Sequence, residues 1–148
     1  MASACQSVGR VLAPWVCMMA LSCAAGERVL VVLEVMPEQH EMPLQIISAA
    51  TTRDAPVGVV TLRGAEGAAA VDSVVLSVWL SSAARGEFIS SLRSQVHSLG
   101  PSERGVWTVK PEFRGLDRAI EAESHGRPLL LTLAVEAVTI AGSIHGTP

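Results

Sequence analysis

Short runs of β-branched and aliphatic residues, cut apart by proline and glycine, constrain this chain more than any other feature. The strongest run is Leu129 to Ile140 (LLLTLAVEAVTI), where Leu131, Leu133 and Val135 face one way and Thr132 and Glu136 the other. Alternation of this kind builds a strand with one side toward a core. Glu27 to Val35 (ERVLVVLEV), Val57 to Arg63 and Ser73 to Leu80 read as further strands, Leu44 to Thr52 more weakly so. Pro37 to Pro43, Arg53 to Pro56 and Gly64 to Gly67 supply the turns between them. Gly105 to Val109 is a short strand closed by Lys110-Pro111. Leu116 to Glu123 (LDRAIEAE) reads as alternating, and the Ser124 to Pro128 turn joins it to Leu129 to Ile140 as an antiparallel hairpin with one wet face.

One stretch carries a clear helical spacing. Phe88, Leu92, Val96 and Leu99 form one apolar stripe, with Ile89 beside it. Ser81 or Ser82 is a suitable N-cap, and Gly100-Pro101 gives a C-terminal stop. The expected class is therefore α+β: a mostly antiparallel sheet of about six strands, with one amphipathic helix over residues 83–99 packed on it. Without a second amphipathic helix, a doubly wound α/β fold is disfavoured. Residues 26–140 form the single domain of this reading, 1–25 a leader segment and 141–148 a frayed tail.

The leader has the shape of an export signal. Arg10 is its one cation, Val11 to Leu21 is an uncharged apolar run broken by Pro14, and Ser22 to Gly26 are small. Cleavage after Ala24 or Ala25 is the expected processing. Ala20-Leu21-Ser22-Cys23 also resembles a bacterial lipobox, which implies lipidation of Cys23 and loss of everything up to Ser22. The alternatives are a membrane anchor, shorter than the ~20 residues of a span, a core helix, and a start codon assigned too early, with the protein beginning near Met18 or Met19. The first two processing routes make the protein exported or envelope-associated; the last makes it cytoplasmic. Cys5, Cys17 and Cys23 all precede residue 24, so the body has no thiol for a disulfide or a cysteine-ligated zinc.

Composition narrows the function classes. The 148 residues carry a net charge of −3, which does not suit nucleic acid. Asn and Tyr are absent and Lys110 is the only lysine, a pattern of GC-rich coding that points to a high-GC bacterium. Aromatic anchors in the body are few: Trp79, Trp107, Phe88 and Phe113.

No catalytic, cofactor-binding or metal signature stands out, and the chain is read as non-enzymatic. Glu38, His40 and Glu41 are consecutive in a proline-bounded loop, which suits a solvated loop better than an acid–base site. His97, His125 and His145 lack paired metal-ligand spacing. The serines around residues 81–98 sit in no nucleophile elbow. Glu121 and Glu123 are expected on one strand face, explained by solvation more simply than by glycosidic chemistry. Trp107 is the candidate contact for a partner, with packing under the helix as its alternative.

Leu80 to Glu136 resembles small actinobacterial domains of immunity or adaptor type: a strand, an amphipathic helix (Phe88 to Leu99), a Gly105-Val106-Trp107 strand start, an acidic strand (Leu116 to Glu123) and an apolar one (Leu129 to Val135). The resemblance implies a single small domain that binds a protein partner, and it transfers no functional residue. Such domains are typically cytosolic, in tension with the leader. The expected function is a protein-binding domain using an open sheet face or edge strand, with an exported or lipid-anchored envelope protein as the alternative. Any membrane contact runs through the leader or a lipid on Cys23.

Overall fold

The computed structural model describes residues 16–22, 28–36, 39, 41–65, 70–125 and 127–146, with residues 16–22 and 28–30 described by their backbone. Nine strands and one helix fall within them: β1 (Val16–Ser22), β2 (Arg28–Val35), β3 (Gln45–Ala50), β4 (Val59–Arg63), β5 (Val71–Ser82), β6 (Phe88–Leu99), β7 (Val106–Val109), α1 (Leu116–Ser124), β8 (Leu129–Ile140) and β9 (Ser143–Gly146). The molecule is mostly β with one helix, and the strands exceed the expected six.

The strands form two sheets. The larger runs β1-β2-β8-β5-β6, with β9 also paired to β8. It is mixed, because β2 pairs parallel with β8 while its other pairings are antiparallel. The smaller sheet runs β3-β4-β7 and is antiparallel. One apolar core joins both. The larger sheet gives it Val31, Leu33 and Val35 from β2, Leu129, Leu131, Leu133 and Val135 from β8, and Val74, Leu76, Val78 and Leu80 from β5. The smaller gives Ile46, Val60, Leu62, Trp107 and Val109. Over residues 31–35, 74–80 and 129–135 every second residue is buried, as the pleat requires. Burying each Leu or Val side chain stabilises the fold by roughly 1.5–3 kcal/mol.

The expected helix and the expected acidic strand have changed places. Residues 88–99 are strand β6, paired with β5 from Val71↔Leu99 to Ser81↔Phe88. A four-residue spacing fits both periods: Leu92 and Val96, an even number of residues apart, lie opposite the core-facing Val78 and Val74, while the register shift before Ser81 turns Phe88 to the other face. Besides Ile89, only Leu99 pointed to a helix. It is buried here at an odd step, after the left-handed Ser98 (φ 59°) interrupts the strand. Four serines in this stretch add little helix propensity.

Leu116–Ser124 is the helix. Leu116, Ile120 and Ser124 lie on its buried face, four residues apart, and Leu, Ala, Glu and Arg all favour helix. The expected hairpin of 116–123 with 129–140 is therefore absent, and β8 is flanked by β5 on one side and by β2 and β9 on the other. Within residues 80–136 the helix therefore follows β7 and the preceding element is a strand. The expected frayed tail contains β9, which closes on β8 through a two-residue turn at Ala141 (φ 49°) and Gly142 (φ 79°). The Gly142 N–H also donates to Asp72 Oδ2 at 3.1 Å.

The apolar run assigned to the leader overlaps β1, an edge strand paired to β2 from Val16↔Glu34 to Ser22↔Arg28. Cys5, Arg10, Pro14, Cys23 and the cleavage positions Ala24 and Ala25 lie outside the described residues.

Candidate functional site

The larger sheet turns its second face away from the core, and exposed aromatic rings stand on it. Along β5 the residues between the buried Val74, Leu76, Val78 and Leu80 belong to this outer face. Trp79 is one of them and is 40% exposed. Its neighbours in register are Ser91 on β6 and Thr132 on β8. Two residues further on, Ser81 lies between Phe88 on β6 and Leu130 on β8, and Leu130 lies beside Val32 on β2. Phe88 is 65% exposed, while Leu130 and Val32 are half-buried. The sheet register thus gathers Trp79, Phe88, Leu130 and Val32 into one apolar band across four strands. A β-bulge between Leu80 and Ser81 sets the register that puts Phe88 opposite Ser81.

A polar row adjoins this band. Arg93 Nε donates to Glu136 Oε2 at 2.8 Å. The ion pair spans β5 from β6 to β8, above the register row Arg93, Ser77, Ala134. Glu136 occupies a bulge opposite the Val75–Leu76 step. Ser77 and Ala134 are only 4% exposed, so two small residues lie in the low ground between larger neighbours. Gln95 and His97 continue the polar surface along β6, both exposed.

Trp107, the expected partner contact, is placed elsewhere. It is 8% exposed, sits opposite Leu62 in the core-facing register of the smaller sheet, and its indole N–H donates to the Gly100 carbonyl at 2.7 Å. Its ring packs in the core with its N–H satisfied. Glu121 and Glu123 are exposed on α1, where a two-residue step points them to different sides rather than to a shared strand face. Glu41 is exposed, and Glu38 and His40 lie outside the described residues. His97 is on β6, His125 follows α1, and His145 is on β9; all three are exposed. Among the described residues no three of His, Cys, Asp and Glu come together as a metal-binding group. No helix among them is long and apolar enough to cross a membrane.

A second concave feature lies between the β3–β4 turn and the start of α1. It is an open groove of about 630 Å³, lined in part by Asp54, Val57, Phe113, Arg114, Asp117 and Arg118. The Glu112 N–H donates to the buried Ser94 Oγ at 3.0 Å and ties the groove's floor to β6. Both signs of charge alternate around it, and its lining contains no His, Cys, Ser or Thr nucleophile or base pair. Its charged lining consists of the carboxylates of Asp54, Glu112 and Asp117 and the guanidinium groups of Arg114 and Arg118.

The aromatic band was legible only in part. The alternation Val74, Leu76, Val78, Leu80 already sets Trp79 on the opposite side of β5. Phe88 was hidden, because the helical spacing assigned it to a buried stripe. No protein-family model, curated protein or solved structure matches this chain.

Proposed function

We propose that this chain is a small non-enzymatic protein-binding domain, of immunity or accessory type, that takes its partner on the outer face of the larger sheet. The observation that carries the reading is that Trp79 and Phe88 are both exposed on one face of the larger sheet, in successive register rows of that face. Aromatic anchors on a rigid support are what interface hot spots are made of. The half-buried Leu130 and Val32 widen the apolar centre, and Arg93, Glu136, Gln95 and His97 supply a polar rim.

The test is affinity capture with the tagged full chain from the cells that make it, beside a Trp79→Ala/Phe88→Ala variant. A partner held by the full chain and lost by the variant, with unfolding midpoints alike, supports the reading. A partner held equally by both overturns it. If the captured protein is the product of an adjacent toxin gene, the immunity role follows.

A second reading, an exported or lipid-anchored envelope protein, is favoured by the leader and by the confinement of all three cysteines to it. The two readings are compatible, and the intact mass of the native protein decides the second. Loss of residues up to Ser22 with a lipid on Cys23 supports anchoring, loss through Ala24 or Ala25 supports export, and an intact N-terminus overturns both.

A further inference from the structure

β1 takes up the second half of the leader's apolar run, and every expected cut falls at or after the end of β1 and before β2. The lipobox cut lies between Ser22 and Cys23, and the alternative cuts follow Ala24 or Ala25. β1 ends at Ser22 and β2 begins at Arg28. Either route therefore removes all of β1 and none of β2. The step is hydrolysis of one peptide bond by a leader peptidase: water adds across it, leaving a carboxylate on the β1 fragment and a new amino terminus ahead of β2.

Among the described residues β1 pairs with β2 alone, so its loss strips one edge of the larger sheet over Arg28 to Glu34. That edge is poorly built for solvent. Val29 to Leu33 are five consecutive aliphatic residues, with no lysine, proline or bulge to blunt pairing. β2 already lies parallel to β8, and continuous apolar sequence of this kind suits a strand flanked on both sides.

We propose that β2 of the processed chain pairs antiparallel with β2 of a second copy, and that β1 is the removable strand that prevents it. The occupant is named by the sequence of the edge itself. Arg28-Val-Leu-Val-Val-Leu-Glu34 is self-complementary about Val31. A two-fold axis there places Arg28 opposite Glu34 at both ends, Val29 opposite Leu33 and Leu30 opposite Val32. All of these pairings join positions of the same parity, so the core-facing Val31 and Leu33 keep their side of the sheet. The pairing covers the same seven residues that β1 covers now. It is isologous and closes on itself, so it stops at a dimer. Opposite charges facing across strands favour this register, and shifted registers lose them.

This inference rests on the export reading for its role in the cell, but its test does not. A specific protease site is placed between Ala25 and Gly26 of the full chain, the folded protein is cut, the released N-terminal fragment is removed by size exclusion, and mass in solution is followed by light scattering and sedimentation. The expected result is a monomer before cutting and a dimer after it. Glu34→Arg sets two arginines face to face and weakens the dimer by about tenfold or more at low salt. Arg28→Glu added to Glu34→Arg restores it. A synthetic Val16–Ser22 peptide dissociates the dimer by reoccupying the edge. A cut chain that stays monomeric, that loses its sheet signature in circular dichroism, or that associates equally well with Glu34→Arg overturns the proposal. A native chain that keeps its N-terminus in the cell defeats the export reading alone.

Discussion

Gln39 and Val135 exchange two hydrogen bonds as if Gln39 were a strand residue. Gln39 Nε2 donates to the Val135 carbonyl at 2.9 Å, and the Val135 N–H donates to Gln39 Oε1 at 2.9 Å. The pair lies on the edge of β8 where backbone partners run out. β2 reaches as far as Val35↔Leu133, with Met36 N–H adding a bond to the Leu133 carbonyl, and β9 starts opposite Ala137. Val135, fully buried, falls in the gap between them. One side-chain amide carries both a donor and an acceptor, which is what an unpaired peptide unit in a ladder needs.

Gln39→Ala leaves that buried donor and acceptor without partners and is expected to destabilise the fold by about 2–4 kcal/mol. Gln39→Glu does not rescue it at neutral pH, because a carboxylate accepts from the N–H but cannot donate to the carbonyl. Denaturant unfolding of the two variants beside the parent checks both statements. A loss below about 0.5 kcal/mol for Gln39→Ala would show that water replaces the amide.

Two glycines with positive φ are expected to behave differently. Gly105 (φ 66°) is packed so that an added Cβ would collide with the Ala65 backbone carbonyl, and its own carbonyl accepts from the Gly64 N–H at 2.8 Å. Gly115 (φ 81°), which caps the start of α1, has open space around the same position. Gly105→Ala thus carries both a conformational cost and a backbone clash, about 3 kcal/mol or more. Gly115→Ala carries the conformational cost alone, about 1 kcal/mol, and Gly115→Asn less. Thermal midpoints of the three variants give the order directly.

The β8–β9 hairpin offers a stabilising change. Both central residues of its turn have positive φ, the requirement of the mirror-image turns that suit strand twist, yet the first is Ala141. Ala141→Asn places a residue tolerant of that region where alanine is strained. It is expected to raise stability by about 0.5–1 kcal/mol while Asp72 keeps its bond to Gly142. No gain, or a loss, in denaturant unfolding would mean that the hairpin frays without cost to the rest.

What the sequence made legible was local. β2, β4, β5, β7 and β8 stand close to where apolar alternation and turn residues placed them, because those signals are carried within a few neighbouring residues. The exchange of helix and strand between residues 88–99 and 116–124 came from an ambiguity in four-residue spacing, which only pairing with β5 resolves. The division into two sheets and the parallel β2–β8 ladder join residues about a hundred positions apart, and no local pattern encodes such a choice. The aromatic band depends on both: Trp79 was visible from alternation, whereas Phe88 reached the outer face only once residues 88–99 became a strand.

The Arg93–Glu136 pair tests how much the outer face owes to charge. Its guanidinium is largely exposed (71%) and its carboxylate partly so (29%), which places it among surface ion pairs rather than buried ones. A double-mutant cycle with Arg93→Ala and Glu136→Ala is expected to give a coupling of about 0.2–1 kcal/mol. Raising the salt to about 1 M should remove most of it, because screening at that strength acts within a few ångströms. Ser77→Leu is expected to cost more than breaking the pair. It forces a branched side chain into the low row between Arg93 and Ala134, lifting the arginine from its bond as it does so. A coupling that survives high salt would instead mean that the β8 bulge holds Glu136 rigidly enough for geometry, rather than charge, to fix the pair.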